Sequence, residues 1–244
     1  MSVLMETSLG DIVIDLDVVK SPRACENFVK LCKLKAYNFS LFHSVQRNFM
    51  VEAGRPALPS LLLATQGLPT SLVDDFRNGS SVWGLKRGSD HRFFTPNLHP
   101  TLKHNRIGTV SMAASLLPDG SLVCGSQFFI TTTSDNLEYL DGKHAVFGVV
   151  AEGLDILKKF NHILTDEAGR PFRDIRIKHT EILDDPFLDP VGLIIPSRSP
   201  SPTPEILADS RIGEDEDLFP DIDPVELERL NAKKEADART YVDS

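Results

Sequence analysis

Apolar and polar positions alternate from the start of the chain. Val3-Leu4-Met5-Glu6 and Ile12-Val13-Ile14-Asp15-Leu16-Asp17 flank a Leu9-Gly10-Asp11 turn, and the second run switches between apolar and acidic with period two. That is the signature of a strand with one buried face, and the pair predicts a hairpin. The period then changes. Ala24, Cys25, Phe28, Leu31 and Cys32 fall on one stripe at three-and-four spacing, behind Ser21 as N-cap and Pro22 at the first helical position. Both cysteines on that stripe read as core thiols. Short strand-like runs recur at 41–45, 49–52, 109–112, 127–131, 145–150 and 174–183, and a second helix fits 154–162. The intervening stretch 56–106 is rich in Gly, Pro and Ser and is expected to hold extended loops. Many short strands with two helices predict an all-β barrel or sandwich.

The texture changes past Asp185-Pro186. Pro186, Pro190, Pro196, Pro200, Pro202 and Pro204 punctuate a segment expected to be extended and solvated. Its Ser199-Pro200, Ser201-Pro202 and Thr203-Pro204 steps are candidate proline-directed phosphorylation sites. Near the end, Asp223, Pro224 and Glu226 form a capping-box start for a terminal helix. The expected division is a folded domain over 1–186 and, over 187–244, a Pro/Ser-rich linker, an acidic segment and that helix.

Charge sharpens this division. The chain has 244 residues, 41% hydrophobic and 25% charged, with a net charge of −9. Between Glu205 and Glu228 ten acidic residues face Arg211 alone, so the acidity belongs to the tail and residues 1–204 are close to neutral. A uniformly basic nucleic-acid binder is excluded. Lys30, Lys33 and Lys35 make only a small helical patch, read as a solvated face. Three cysteines without a CxxC pair fit reduced thiols of the cytosol or nucleus, with Cys124 a candidate surface thiol. No apolar run approaches the roughly 18 residues of a membrane span, and Met1 opens directly into strand-like sequence, so neither membrane insertion nor secretion is expected.

Two stretches carry the chemistry. One is Phe42-His43-Ser44-Val45-Gln46-Arg47-Asn48-Phe49-Met50-Val51-Glu52-Ala53-Gly54. The other runs from Gly108-Thr109-Val110-Ser111-Met112-Ala113 through Gly125-Ser126-Gln127-Phe128-Phe129-Ile130-Thr131 to Leu140-Asp141-Gly142-Lys143-His144-Ala145-Val146-Phe147-Gly148. Together they resemble the cyclophilins, a family of peptidyl-prolyl isomerases, over roughly residues 1–184. The resemblance implies a closed eight-stranded antiparallel barrel capped by two helices. The TSLGDIVIDL opening, the SPRACENFVKLCKLKAYN helix, HTEILDDPF and the IPSRSPSP and RIGEDED tail are similar to nuclear cyclophilin-like proteins that carry an RNA-recognition motif after the isomerase domain. No RNP-type aromatic strand occurs here, so the chain is expected to be a fragment or a shortened relative.

Rotation about an Xaa-Pro bond faces a barrier of roughly 18–20 kcal/mol. Catalysis needs an apolar pocket for the proline and donors placed for the twisted state, with no nucleophile, metal or cofactor. Carried over by resemblance, Phe49, Met50, Phe129, Leu140 and His144 match the proline pocket, Ala113 lines the adjoining groove, and Gln127 is an interior polar residue beside it. From composition alone, the four apolar members read first as simple barrel core, an order the motif match reverses, and His144 also fits a structural histidine tied to the Asp141-Gly142 turn. Four departures stand out. Ser44 occupies the place of a catalytic arginine, Glu52 that of a glutamine, Ala114 that of a substrate-gripping asparagine, and Tyr139 that of a tryptophan. A serine cannot replace a guanidinium's five fixed donors, and Arg47 lies on the wrong strand face to substitute. His91, His99 and His104 match no zinc spacing, so no metal is expected. The expectation is an isomerase-like protein that binds Xaa-Pro segments with weak catalysis in a nuclear RNA-processing setting. The alternative is a non-catalytic proline-peptide reader or scaffold among spliceosomal proteins, monomeric and touching RNA only indirectly.

Overall fold

The computed structural model describes residues 1–189 and 193–197. The Ser-Pro and Thr-Pro steps, the acidic segment and the terminal helix expected from the sequence lie outside the described residues.

Eight strands pair antiparallel: β1 (Ser2–Thr7), β2 (Gly10–Leu16), β3 (Ser44–Gln46), β4 (Met50–Ala53), β5 (Thr109–Leu116), β6 (Leu122–Thr131), β7 (Val146–Glu152) and β8 (Ile177–Ile182). Their order is β3-β4-β6-β5-β7-β2-β1-β8. The hairpin of β1 and β2 is in place, with Thr7 opposite Gly10 and Val3 opposite Ile14. The result is a strongly curled antiparallel sheet. Its two ends approach through an isolated Leu41–Arg176 bridge, with Phe42 N donating to Ile175 O at 2.8 Å and Val45 N to Gly169 O at 2.7 Å, in place of a continuous ladder.

Helix α1 (Pro22–Lys33) buries the stripe read from its spacing: Ala24, Cys25, Phe28, Leu31 and Cys32 are all inside. Phe28 sits within 5.4 Å, centroid to centroid, of Tyr37, Phe128 and Phe147, so the core is an aromatic knot between this helix and the sheet. Ser21 occupies the N-cap position, but its hydroxyl makes no capping bond and is buried without a partner.

The stretch 56–106 departs from expectation. It holds three short helices, α2 (Pro59–Thr65), α3 (Val73–Arg77) and α4 (Val82–Arg87). Pro59 opens α2, and Leu62, Leu63, Phe76, Val82 and Leu85 are buried. Each helix spans fewer than two full turns, so tertiary burial stabilises it and no apolar period shows in the sequence. Helix α5 (Leu154–Phe160) is the second helix expected. It starts at Gly153, whose φ is +90° and whose absent Cβ would lie 2.4 Å from Asp11 O, so only glycine fits this junction.

Two further expectations are corrected. Cys124 is buried, and burial pushes all three thiols up to about 12. Glycine next door says nothing about exposure, because Cys124 sits on β6 in a bridge to Phe94. The Lys30, Lys33 and Lys35 face is not simply solvated either. Lys30 is fully buried, and its ammonium donates to Asp185 Oδ2 at 2.9 Å, Phe187 O at 2.7 Å and Asp189 Oδ1 at 2.7 Å. The segment just past the sheet is therefore clamped to α1. Farther on, Ile194 N donates to Gln66 Oε1 at 3.1 Å, and the Gln66 amide returns a bond to Ile194 O. Among the described residues no helix is long and apolar enough to cross a membrane.

Candidate functional site

Strand alternation divides the sheet into two faces. On β4, Val51 and Ala53 are buried while Met50 and Glu52 are half-exposed. On β6, Phe128 enters the aromatic knot with Phe28 and Tyr37, so Phe129 must point to the opposite side. Register then aligns four residues across neighbouring strands: Ser44 opposite Glu52, Glu52 opposite Phe129, and Phe129 opposite Ser111. This row is the base of the candidate site.

Phe129 is 2% exposed and forms the floor. Leu137 and Leu140 pack against it from the loop after β6, and Phe49 and Met50 close in from the β3–β4 hairpin while remaining half-buried. Tyr139, exposed, stacks over Phe49 at 6.3 Å and 24°. The His144 ring meets Phe129 edge-on, at 5.2 Å and 83°. The apolar residues thus form a second hydrophobic cluster on the far side of the sheet from the main core, half-open at Phe49 and Met50.

His144 is not tied to the Asp141-Gly142 turn through its ring. Its Nδ1 lies 3.3 Å from both Met112 O and Ala114 N, across the β5 bulge between Met112 and Ala114. One proton cannot serve both: Nδ1 either accepts from Ala114 N–H or donates to Met112 O. Burial pushes its basicity down, outweighing the Met112 carbonyl, which keeps the ring neutral near neutral pH. Ala113 and Ala114 lie at the bulge, and Gln127 stands two residues before Phe129 on β6, partly exposed. Gln127 Nε2 reaches Asn78 O at 3.5 Å, and a Cβ on Gly79 would stand 2.7 Å from that nitrogen.

Ser44 and Glu52 pair across the β3–β4 hairpin, in the same row as Phe129. Glu52 Oε2 lies 3.5 Å from His43 Nε2. Arg47 is turned away: its Nε and Nη2 donate to Ile163 O at 3.1 and 2.9 Å, so no arginine of the hairpin fills the place above Ser44.

Sequence reasoning missed His104, weighed there only as a metal ligand. Its ring stacks on Phe129 at 5.9 Å and 16°. Nδ1 is 2.8 Å from Asp141 Oδ1 and Nε2 is 2.8 Å from Ser111 Oγ. Burial lowers the basicity of His104 more than Asp141 raises it, so a neutral ring donates to Asp141 and accepts from Ser111. At Asp141, burial raises the carboxyl's pKa, but hydrogen bonds from His104 and Lys103 outweigh it and hold the group ionised. The order Ser–His–Asp imitates a nucleophilic relay, yet Ser111 is fully buried beneath Phe129 and no substrate reaches it. The relay braces the pocket floor. His104→Ala is expected to cost about 2 kcal/mol, since it leaves Ser111 unpaired and opens a void under Phe129; urea denaturation measures it. No sequence signal marked this role, because His104 and Asp141 lie 37 residues apart. His99 bonds Thr101 instead, so the three histidines do not converge.

Comparison with known proteins adds three findings. A model of the cyclophilin type peptidyl-prolyl cis-trans isomerase family matches residues 2–182. The chain is 52% identical over 240 residues to peptidyl-prolyl cis-trans isomerase-like 4 of Emericella nidulans, covering 98% of this chain and 50% of the relative. It is 48% identical over 238 residues to the Homo sapiens protein of the same name, covering 97% and 44%. The chain therefore spans about half the length of the curated relatives it matches. Among solved structures, a Cryptosporidium parvum cyclophilin type isomerase, determined in the presence of the dipeptide Ala-Pro, superposes with a TM-score of 0.61 at 27% identity, covering 76% of this chain and all of that one.

Proposed function

We propose, because this chain belongs to the cyclophilin type peptidyl-prolyl cis-trans isomerase family, that its half-open pocket binds the proline ring of Xaa-Pro segments in other proteins and turns them over only weakly. The observation that carries this reading is the pairing of an apolar pocket, floored by Phe129 and rimmed by Phe49, Met50, Leu140 and His144, with a serine opposite Glu52 where a long cationic donor is needed. The pocket can exclude water and hold a proline. The imide nitrogen, as it pyramidalises, finds no guanidinium beside it. Removing one donor aimed at a transition state costs about 10²–10³ in rate. The binding domain is taken as residues 1–186, with the two ends of the curled sheet joined at Leu41–Arg176 acting as a closed barrel.

A non-catalytic reader is the second reading, favoured by one observation: Arg47 is committed to Ile163 O. The nuclear, RNA-processing setting with spliceosomal partners is supported by sequence likeness alone.

The test is exchange spectroscopy on a standard Ala-Pro peptide with the 244-residue chain. The unmodified protein is expected to bind the peptide while accelerating cis/trans exchange little. Ser44→Arg is expected to raise the exchange rate at least about tenfold, or about 1.4 kcal/mol of barrier. Fast exchange in the unmodified protein removes the weak-turnover claim, and absence of any peptide binding removes the whole reading.

A further inference from the structure

Beside the proposed proline pocket stands a carboxylate that, among the described residues, has no lysine or arginine within 4.0 Å. Glu52 lies in the row Ser44–Glu52–Phe129, on the pocket's face of the sheet, with its side chain 27% exposed. Its nearest ionisable contact is the His43 imidazole at 3.5 Å, and among the described residues no lysine or arginine comes within 4.0 Å. Directly across the ladder is Ser44, partly exposed, whose short neutral side chain brings no charge to the pair. Paired side chains on one face of an antiparallel ladder stand roughly 4.5–5.5 Å apart at Cβ, so whatever enters above Ser44 meets the Glu52 carboxylate. Gly169 approaches Ser44, and its carbonyl accepts from Val45 N at 2.7 Å. Arg47 cannot swing in without giving up two hydrogen bonds to Ile163 O.

We propose that the client's proline is flanked by a basic residue, Arg or Lys, whose head group pairs with Glu52. This rests on the proline-binding reading above and names the class of segment that the site selects. The client supplies a cation for this carboxylate. Selectivity has a repulsive side too: an acidic residue at the same place meets Glu52 at close range in a partly desolvated rim, while a neutral one leaves the carboxylate hydrated and neither gains nor loses. The guanidinium is the better fit of the two cations, since its planar fork can bond both carboxylate oxygens at once.

The test titrates the full chain with peptides that differ only at the residue flanking proline, placed before it in one series and after it in another: arginine, norleucine or glutamate, followed by NMR shifts at low and high salt. In at least one series the arginine peptide is expected to bind about three- to tenfold more tightly than the norleucine peptide, and the glutamate peptide more weakly than either. Salt should narrow the spread. Glu52→Gln is expected to equalise arginine and norleucine, with the dispersion of the variant's own NMR spectrum reporting that it is folded. Equal affinities in the unmodified protein in both series overturn the proposal. So does an arginine preference that survives Glu52→Gln. If no peptide of any series binds, the proline-binding reading itself fails, and this inference falls with it.

Discussion

Phe129→Ala is expected to abolish peptide binding and to destabilise the domain by about 3–5 kcal/mol. Six side chains use this one ring: Phe49, Met50, Leu137 and Leu140 pack against it, His104 stacks beneath it and His144 meets it edge-on. Truncation leaves a void bounded by elements that cannot collapse, because His104 is fixed at both nitrogens and Leu137 is held in its own buried place. Urea denaturation gives the stability change and peptide titration the loss of affinity. Phe129→Leu separates the two effects, since it keeps most of the volume while losing the flat face a proline ring packs on. Retained tight binding in the leucine variant would show that the floor supplies bulk only. Retained tight binding in the alanine variant would mean that this is not the pocket.

Lys30→Met is expected to cost about 2–3 kcal/mol and to release the segment over 185–189. The estimate sits below the full penalty for breaking a buried pair, roughly 3–5 kcal/mol, because Lys33 stays behind with bonds of 3.0 Å to Asp185 and 2.7 Å to Asp189. Methionine fills the apolar shaft that the lysine stem occupies, so the loss reports the ammonium. The same cluster predicts an acid response. At Asp185, burial pushes the carboxyl up, but hydrogen bonds from Lys30 and Lys33 outweigh it; at Asp189 those bonds are the leading influence, and both groups titrate below 3.8. A carboxyl depressed on folding adds stability that is present above its unfolded value, near 4, and is lost as pH falls through its folded value. Stability measured from pH 6 downward should therefore drop below about pH 4, and the drop should be shallower in Lys30→Met. Proteolysis after Asp185 gives a second readout, faster in the variant. An unchanged acid limb would mean that the clamp contributes nothing to folding.

Much of this was legible in the sequence. The hairpin, the α1 stripe and most strand runs follow from periods of two and of three-and-four, which depend only on which neighbours share a face. The clustering of Phe49, Met50, Phe129 and Leu140 was legible through motif resemblance. Other features were not. The helices of 56–106 are too short to leave a period. Cys124 took its burial from a bridge to Phe94, and Lys30 from carboxylates more than 150 residues away.

The sequence by itself determined which side chains share each strand or helix face, because alternation and helical pitch are local properties of the backbone. It also determined that the position held by Ser44 carries no guanidinium. Only the tertiary structure decided that Phe129 faces away from the aromatic knot, that His104 braces it from below, and that Glu52 shares a row with Ser44 and Phe129, with no lysine or arginine within 4.0 Å among the described residues. Those are outcomes of register between strands, and register is set by pairing across the sheet, where a shift of one residue exchanges every side chain between the two faces.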